Sequence, residues 1–198
     1  MRRHRATARV VGLDISEGML NLCCAKLRRR GLTGRVELRR ADASATQLAG
    51  NSFDGATIGF GIRNTPDVAR TLREMHRILK PGGTAVILEF SLPPGRLWPW
   101  CYLKYLRLAV PFLGSVFSAD GQAYRYLNRS IEKFYRPQEF LSLMRDAGFH
   151  DVSATPLTFG VASIYRGSKS LASERESGGM GLGSPTQNSA LGGPFQPM

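Results

Sequence analysis

The stretch Phe60–Phe90, FGIRNTPDVARTLREMHRILKPGGTAVILEF, decides the fold. Val68, Leu72, Met75 and Leu79, with Ile78 beside them, recur at helical spacing, while Arg70, Arg73, Glu74 and Arg77 fall largely off that face. Pro66 and Asp67 mark the helix start. Pro81 cannot continue a helix, and Gly82 and Gly83 allow a sharp exit. Val86, Ile87 and Leu88 then read as the centre of a fully buried strand, as in a parallel sheet. Just upstream, FDGATIG (53–59) is a short strand of small and β-branched residues that the Phe60-Gly61 pair ends. The unit is thus one α/β repeat, with a polar loop at the carboxyl end of a strand, where such sheets bind ligands.

Working outward, RVVGLDI (9–15) reads as a strand closing on Asp14, with Ser16 as N-cap of a helix over 17–30 and Gly31 as its stop. Residues 35–40 alternate as a second strand, and Asp42-Ala43 follows at its carboxyl end. The segment 97–117 is aromatic and apolar, but Pro99, Lys104, Arg107 and Pro111 interrupt it and argue against a membrane span. Two helices over 123–134 and 137–147, the latter stopped by Gly148, precede two closing strands over 151–157 and 160–165. After Gly167 the chain turns rich in Gly, Ser, Pro and Gln and is expected to be disordered, because it buries too little apolar surface to offset its ordering entropy. The expected organisation is a basic segment at 1–8, one α/β domain at 9–167 and a low-complexity tail at 168–198.

Length allows one domain with a real core. The three cysteines form neither a disulfide framework nor a metal spacing, and the adjacent Cys23 and Cys24 read as buried small apolar residues of a reducing cytoplasm. No metal site is expected. No secretory signal is visible, since Met1 is followed by a basic run and then directly by a strand. The net charge is +12, and residues 1–40 hold eleven Lys and Arg against three acids, an excess of eight. A solvated basic face is the plain reading, with attraction to anionic lipid as the second. No aromatic-interleaved basic stripe supports a nucleic-acid partner.

Taken together, GLDISEGML (12–20), RADA (40–43), FGIRN (60–64), LREMHRILKPGG (72–83), LEFS (88–91), AYRYLNRSI (123–131), DAGF (146–149) and TPLTFGVASIYRG (155–167) resemble the quinone-ring C-methyltransferases of menaquinone and ubiquinone biosynthesis. The demethylmenaquinone branch looks most similar. LKPGG alone is shared by many methyltransferases, whereas GIRN, LEFS and AYRYL at these spacings are specific. The resemblance covers residues 9–167. It implies an α/β fold of the Rossmann-like class I methyltransferases, S-adenosylmethionine as methyl donor and a prenylated hydroquinone as substrate.

The resemblance also implies site residues. Asp14 would accept hydrogen bonds from the ribose hydroxyls, Met19 would pack on the adenine, and Asp42 with the Ala43 backbone would meet the adenine edge. Gly59 stands beside the donor where the family often has Ser, so only its backbone is available. Read without the resemblance, Asp14 equally fits a helix cap, Met19 a core position and Asp42 a turn. Ring methylation needs a carbon beside a phenolic hydroxyl to become electron-rich, and a nearby cation stabilises the oxyanion that makes it so. Arg63 would supply that charge and Asn64 would orient a water or the ring oxygen; the alternatives are a surface ion pair and a turn cap. The general base would be that water, or Tyr124 or Tyr126. His76, in mid-helix, is expected to be structural.

Residues 97–117 and 123–134 are expected to cover the quinone. Trp98, Trp100, Tyr102, Tyr105 and Phe112 would face the prenyl chain, and Lys104 and Arg107 lipid headgroups. This gives a cytoplasmic protein with peripheral contact at the inner membrane face, as a homo-oligomer or within a quinone-synthesis complex. The family's first segment, a strand with a GxGxG-type turn that holds the methionine end of the donor, has no counterpart here, nor do its N-terminal helices. Arg129 stands where the family usually has an acidic residue. The expectation is therefore a truncated or misassigned start, with two unpaired strand edges in mid-molecule where the first strand would lie. Rival readings are a non-catalytic module scaffolding a quinone-synthesis complex, and a methyltransferase for RNA or a small phenol.

Overall fold

The computed structural model describes residues 8–91 and 130–171. Two parallel strands, β1 (Val10–Asp14) and β2 (Val36–Arg40), pair in register from Val10 opposite Val36 to Asp14 opposite Arg40. Helix α1 (Glu17–Arg29) connects them, its first turn capped by the Ser16 hydroxyl, which accepts the Met19 N–H, and its end followed by Gly31 at φ 64°. The remaining strands are β3 (Phe53–Gly59), β4 (Leu79–Phe90), β5 (His150–Leu157) and β6 (Ala162–Ser168). They form a second sheet in the order β3-β4-β6-β5, with β3 and β4 parallel and β6 antiparallel to both its neighbours. Among the described residues no strand joins β1 to β3, so the separation expected from the sequence is present.

Helices α2 (Val68–Ile78) and α3 (Pro137–Asp146) cover one face of the second sheet. Leu72, Met75, Ala85, Ile87, Phe140, Met144 and Tyr165 form its core, each nearly or fully removed from water. Asp67 caps α2 by accepting the Arg70 N–H at 2.8 Å. The end of α2 lies earlier than the Pro81 rule suggests. Leu79 already has extended backbone, and Lys80 to Gly83 belong to β4, so the chain leaves the helix without a glycine cap. The positive φ of Gly82 serves the strand instead, where its N–H donates to the Lys169 carbonyl at 2.8 Å.

The expected full burial of Val86, Ile87 and Leu88 is also corrected. Ala85, Ile87 and Glu89 are buried, whereas Val86, Leu88 and Phe90 on the other face are half-buried. Cys23 and Cys24 are likewise half-buried, because α1 rests on only two strands and buries no residue completely. Ser168 and Lys169, expected to open the low-complexity tail, belong to the described fold. Ser168 completes β6, and the Lys169 ammonium, 8% exposed, donates to Asn51 Oδ1, the His76 carbonyl and the Leu79 carbonyl at 2.8–2.9 Å. A polar anchor thus holds the end of the fold where apolar periodicity has already stopped.

The segment after β2 runs along α2 and ties the two sheets together. Glu74 accepts the Thr46 N–H at 2.9 Å and the Thr46 hydroxyl at 2.5 Å, and Arg77 bridges Glu74 to the Leu48 carbonyl. Arg70 donates to the Ser44 carbonyl at 3.2 Å. These tethers are mostly polar.

Candidate active site

Parallel strands point their carboxyl ends to one side, and here those of β1, β2 and β3 converge on one cleft of about 510 Å³. Leu13, Asp14 and Ile15 form one wall, Ala41, Asp42 and Ala43 the second, and Thr57–Gly59 with Gly61, Asn64, Thr65 and Pro66 the third. Five of the residues expected from sequence therefore meet in one space: Asp14, Asp42, Ala43, Gly59 and Asn64. The cleft falls within the roughly 300–1,000 Å³ typical of small-molecule sites.

Asp14 Oδ1 accepts the Ser16 N–H at 2.8 Å, so the residue does cap the turn, and its carboxylate still borders the cleft. Asp42 Oδ1 accepts the Ser44 N–H at 2.7 Å. The backbone and side-chain hydrogen bonds of Ser44 hold the Asp42 carboxyl below its ordinary range, so it stays ionised at neutral pH. A Cβ placed on Gly59 meets open space, which leaves room beside the backbone. Two carboxylates at adjacent strand ends, with a roomy backbone stretch opposite, can accept hydrogen bonds from the hydroxyl and amino groups of a small polar ligand.

Met19 does not line the cleft. It stands third in α1 and is 55% exposed. Ile15, which the sequence reading passed over, lines the cleft instead with a largely exposed apolar side chain. His76 does not line the cleft; its ring is edge-on to Phe149 at 5.1 Å and against Gly148. Tyr124, Tyr126, Trp98, Trp100, Tyr102, Lys104, Tyr105, Arg107, Phe112 and Arg129 lie outside the described residues.

Arg63 belongs to the 3-10 turn Ile62–Asn64 behind the cleft wall rather than to its lining. Its Nη1 donates to Glu89 Oε1 at 2.6 Å and to the Phe60 carbonyl at 2.7 Å, and its Nε to Ser130 Oγ at 3.3 Å. The guanidinium carbon sits 5.1 Å from the centroid of the Phe90 ring. Its partner is not the surface acid of the plain reading: Glu89 is fully buried, against 9% exposure for the Arg63 side chain. Phe60, at φ 52°, adopts a left-handed backbone that costs a bulky residue about 1–2 kcal/mol. The Arg63 bond to its carbonyl and its ring contact with Phe90 at 4.7 Å hold it there. Glu89 is the residue that sequence reasoning missed. A lone carboxylate inside the apolar run VILEF was the available signal.

Against known proteins, the model of the ubiE/COQ5 methyltransferase family matches residues 1–169. The chain is 44% identical over 162 residues to the ubiquinone/menaquinone biosynthesis C-methyltransferase UbiE of Geobacter sulfurreducens, covering 82% of this chain and 63% of that protein. It is 42% identical over 160 residues to the demethylmenaquinone methyltransferase of Geobacillus kaustophilus, covering 81% of this chain and 68% of that one. The chain thus spans about two-thirds of the length of these relatives. Among solved structures, a putative methyltransferase from Bacillus halodurans superposes with a TM-score of 0.58 at 16% identity, covering 82% of this chain and 83% of that one. A SAM-dependent methyltransferase from Aquifex aeolicus gives 0.56 at 17% identity, covering 81% and 68%. These likenesses identify the fold as the Rossmann-like α/β fold of class I methyltransferases.

Proposed function

The chain belongs to the ubiE/COQ5 methyltransferase family, and from that premise we propose that it serves the C-methylation of a prenylated hydroquinone, demethylmenaquinol to menaquinol, with S-adenosylmethionine as donor. The observation that carries this reading is the cleft, which gathers Asp14, Asp42, Ala43, Gly59 and Asn64 from three strand ends. The donor supplies an electrophilic methyl group on a positively charged sulfur. Asp14 accepts from the ribose hydroxyls, Asp42 and the Ala43 backbone meet the adenine edge, and Ile15 covers the base. The backbone at Gly59 borders the methyl-bearing end.

Asn64, on the cleft wall, orients the phenolic oxygen or the water that removes its proton; Tyr124 and Tyr126 are the other candidates for that base. Arg63, behind the wall and paired with Glu89, acts by holding the loop that presents the Asn64 amide to the cleft, not as a lone cation. Fixed N–H donors stabilise developing negative charge without having to reorient as it forms. A lipid-borne substrate places the protein at a membrane surface on the cytoplasmic side. Among the described residues no helix is long and apolar enough to cross a membrane.

The test is incubation of the full chain with methyl-labelled donor and demethylmenaquinol in detergent, followed by mass spectrometry of the quinone. One labelled methyl on the ring is the expected product. An intact quinol with no label would overturn the reading, and label recovered in added RNA would redirect it.

A further inference from the structure

Glu89 is the one fully buried carboxylate among the described residues, and it lies at the carboxyl end of β4. Its oxygens accept from Arg63 Nη1 at 2.6 Å, the Arg63 N–H at 3.3 Å and the Phe90 N–H at 2.8 Å. Burying such a pair is costly, and well-packed apolar residues often stabilise a fold as well or better. Stability alone therefore gives little reason for an ion pair at this position. Its location gives a better one. The loop carrying Arg63 also forms the cleft wall through Gly61 and Asn64. A guanidinium stays charged at all working pH values, and with 9% exposure Arg63 is poorly screened by water.

We propose that Glu89 neutralises Arg63 so that the adjoining cleft accepts a cationic sulfonium ligand, and thereby sets the preference of the site for donor over demethylated product. This rests on the reading that the cleft binds S-adenosylmethionine. The donor and S-adenosylhomocysteine share one shape apart from a methyl group, but only the donor carries a positive sulfur. An uncompensated Arg63 repels the first and is indifferent to the second. Paired with Glu89 at 2.6 Å it becomes a dipole, whose field falls off more steeply with distance. Asp14 and Asp42 on the facing walls then leave the cleft with a potential suited to a cation. Glu89 is thus a positioning residue that acts through Arg63 and does not touch the ligand.

The experiment is calorimetric titration of the full chain with S-adenosylmethionine and, separately, S-adenosylhomocysteine. One uncompensated unit charge beside the cleft, at an effective dielectric of about 20, changes the affinity for a cationic ligand by several-fold to about tenfold. Glu89→Gln is therefore expected to weaken donor binding by several-fold to about tenfold relative to product, and the double variant Glu89→Gln/Arg63→Met to restore the original ratio. Glu89→Ser, a smaller neutral replacement that leaves room for water beside the guanidinium, is expected to shift the ratio in the same direction and keeps the idea testable if Glu89→Gln does not fold. Equal loss for both ligands in Glu89→Gln, or a ratio unmoved in every variant, overturns the inference and leaves the donor site standing. An unsubstituted chain that binds neither ligand overturns the donor reading and this inference together.

Discussion

Asp14 reaches the cleft from the last position of β1 while one of its oxygens already accepts the Ser16 N–H. Hydrogen bonds to a charged group contribute about 1.5–3 kcal/mol, so Asp14→Ala is expected to weaken donor binding by about tenfold to a hundredfold. Titration calorimetry reads that loss, and an unchanged circular dichroism spectrum separates it from unfolding. Arg63→Ala removes the hold on Phe60, Glu89 and Ser130 at once. In a background that transfers methyl groups it is expected to abolish transfer while donor still binds, and substantial residual transfer would refute the role given to Arg63. At this scale the sequence revealed what ends a strand. The site roles of Asp14, Asp42 and Gly59 came from the family resemblance, because Asp14 alone fits a helix cap and Asp42 alone fits a turn. Glu89 stood out only as a lone carboxylate in an apolar run, and its pairing with Arg63, 26 positions earlier, is a tertiary contact that no local pattern shows.

Among the elements, α2 carries two separate duties on opposite faces. Its buried side, Leu72 and Met75, packs on β4, and its polar side, Glu74 and Arg77, holds the segment after β2. The Arg77 hydrogen bonds come first among the causes that bring the Glu74 carboxyl down to about 2, with the Thr46 bonds adding to them and partial burial opposing. Because the folded value lies below the unfolded one, this stabilisation is complete above about pH 4.5 and is lost as pH falls toward 2, amounting to at most about 3 kcal/mol. Urea denaturation across that window is expected to show the decline, and Glu74→Gln to flatten it. On the buried side, Ile87→Ala empties a fully enclosed position and is expected to cost about 2–5 kcal/mol, read from the same denaturation curves at neutral pH. The start of α2 was legible because Asp67 is a capping residue. Its end was not, since the pairing of Leu79 with Phe53 takes the chain out of the helix before Pro81 is reached. The end of β6 escaped for a related reason: Lys169 is anchored by three oxygens, and composition counts it only as a charge beside a polar tail.

For the molecule as a whole, the decisive fact is that the described sheet is interrupted between β1 and β3. The first part, β1, α1 and β2, has no fully buried residue in its helix and exposes Val10, Ile15, Met19 and Leu22. The second part holds the core. Local opening follows buried contact, so amide hydrogens of β1 and β2 are expected to exchange faster than those of β4 and β6 in a hydrogen-exchange experiment. Equal protection in both would show one cooperative block. The cleft takes two of its walls from the weaker part and the third from the stronger. A ligand seated there would have to clasp both, and any free energy spent on quieting the weaker part would be subtracted from its apparent affinity. Occupancy and rigidity would then rise together, and the melting temperature would climb with ligand concentration. Affinity at this site would accordingly be a mechanical property of the frame as much as a chemical property of its side chains, and a brace added anywhere across the interruption would tighten binding without touching the ligand.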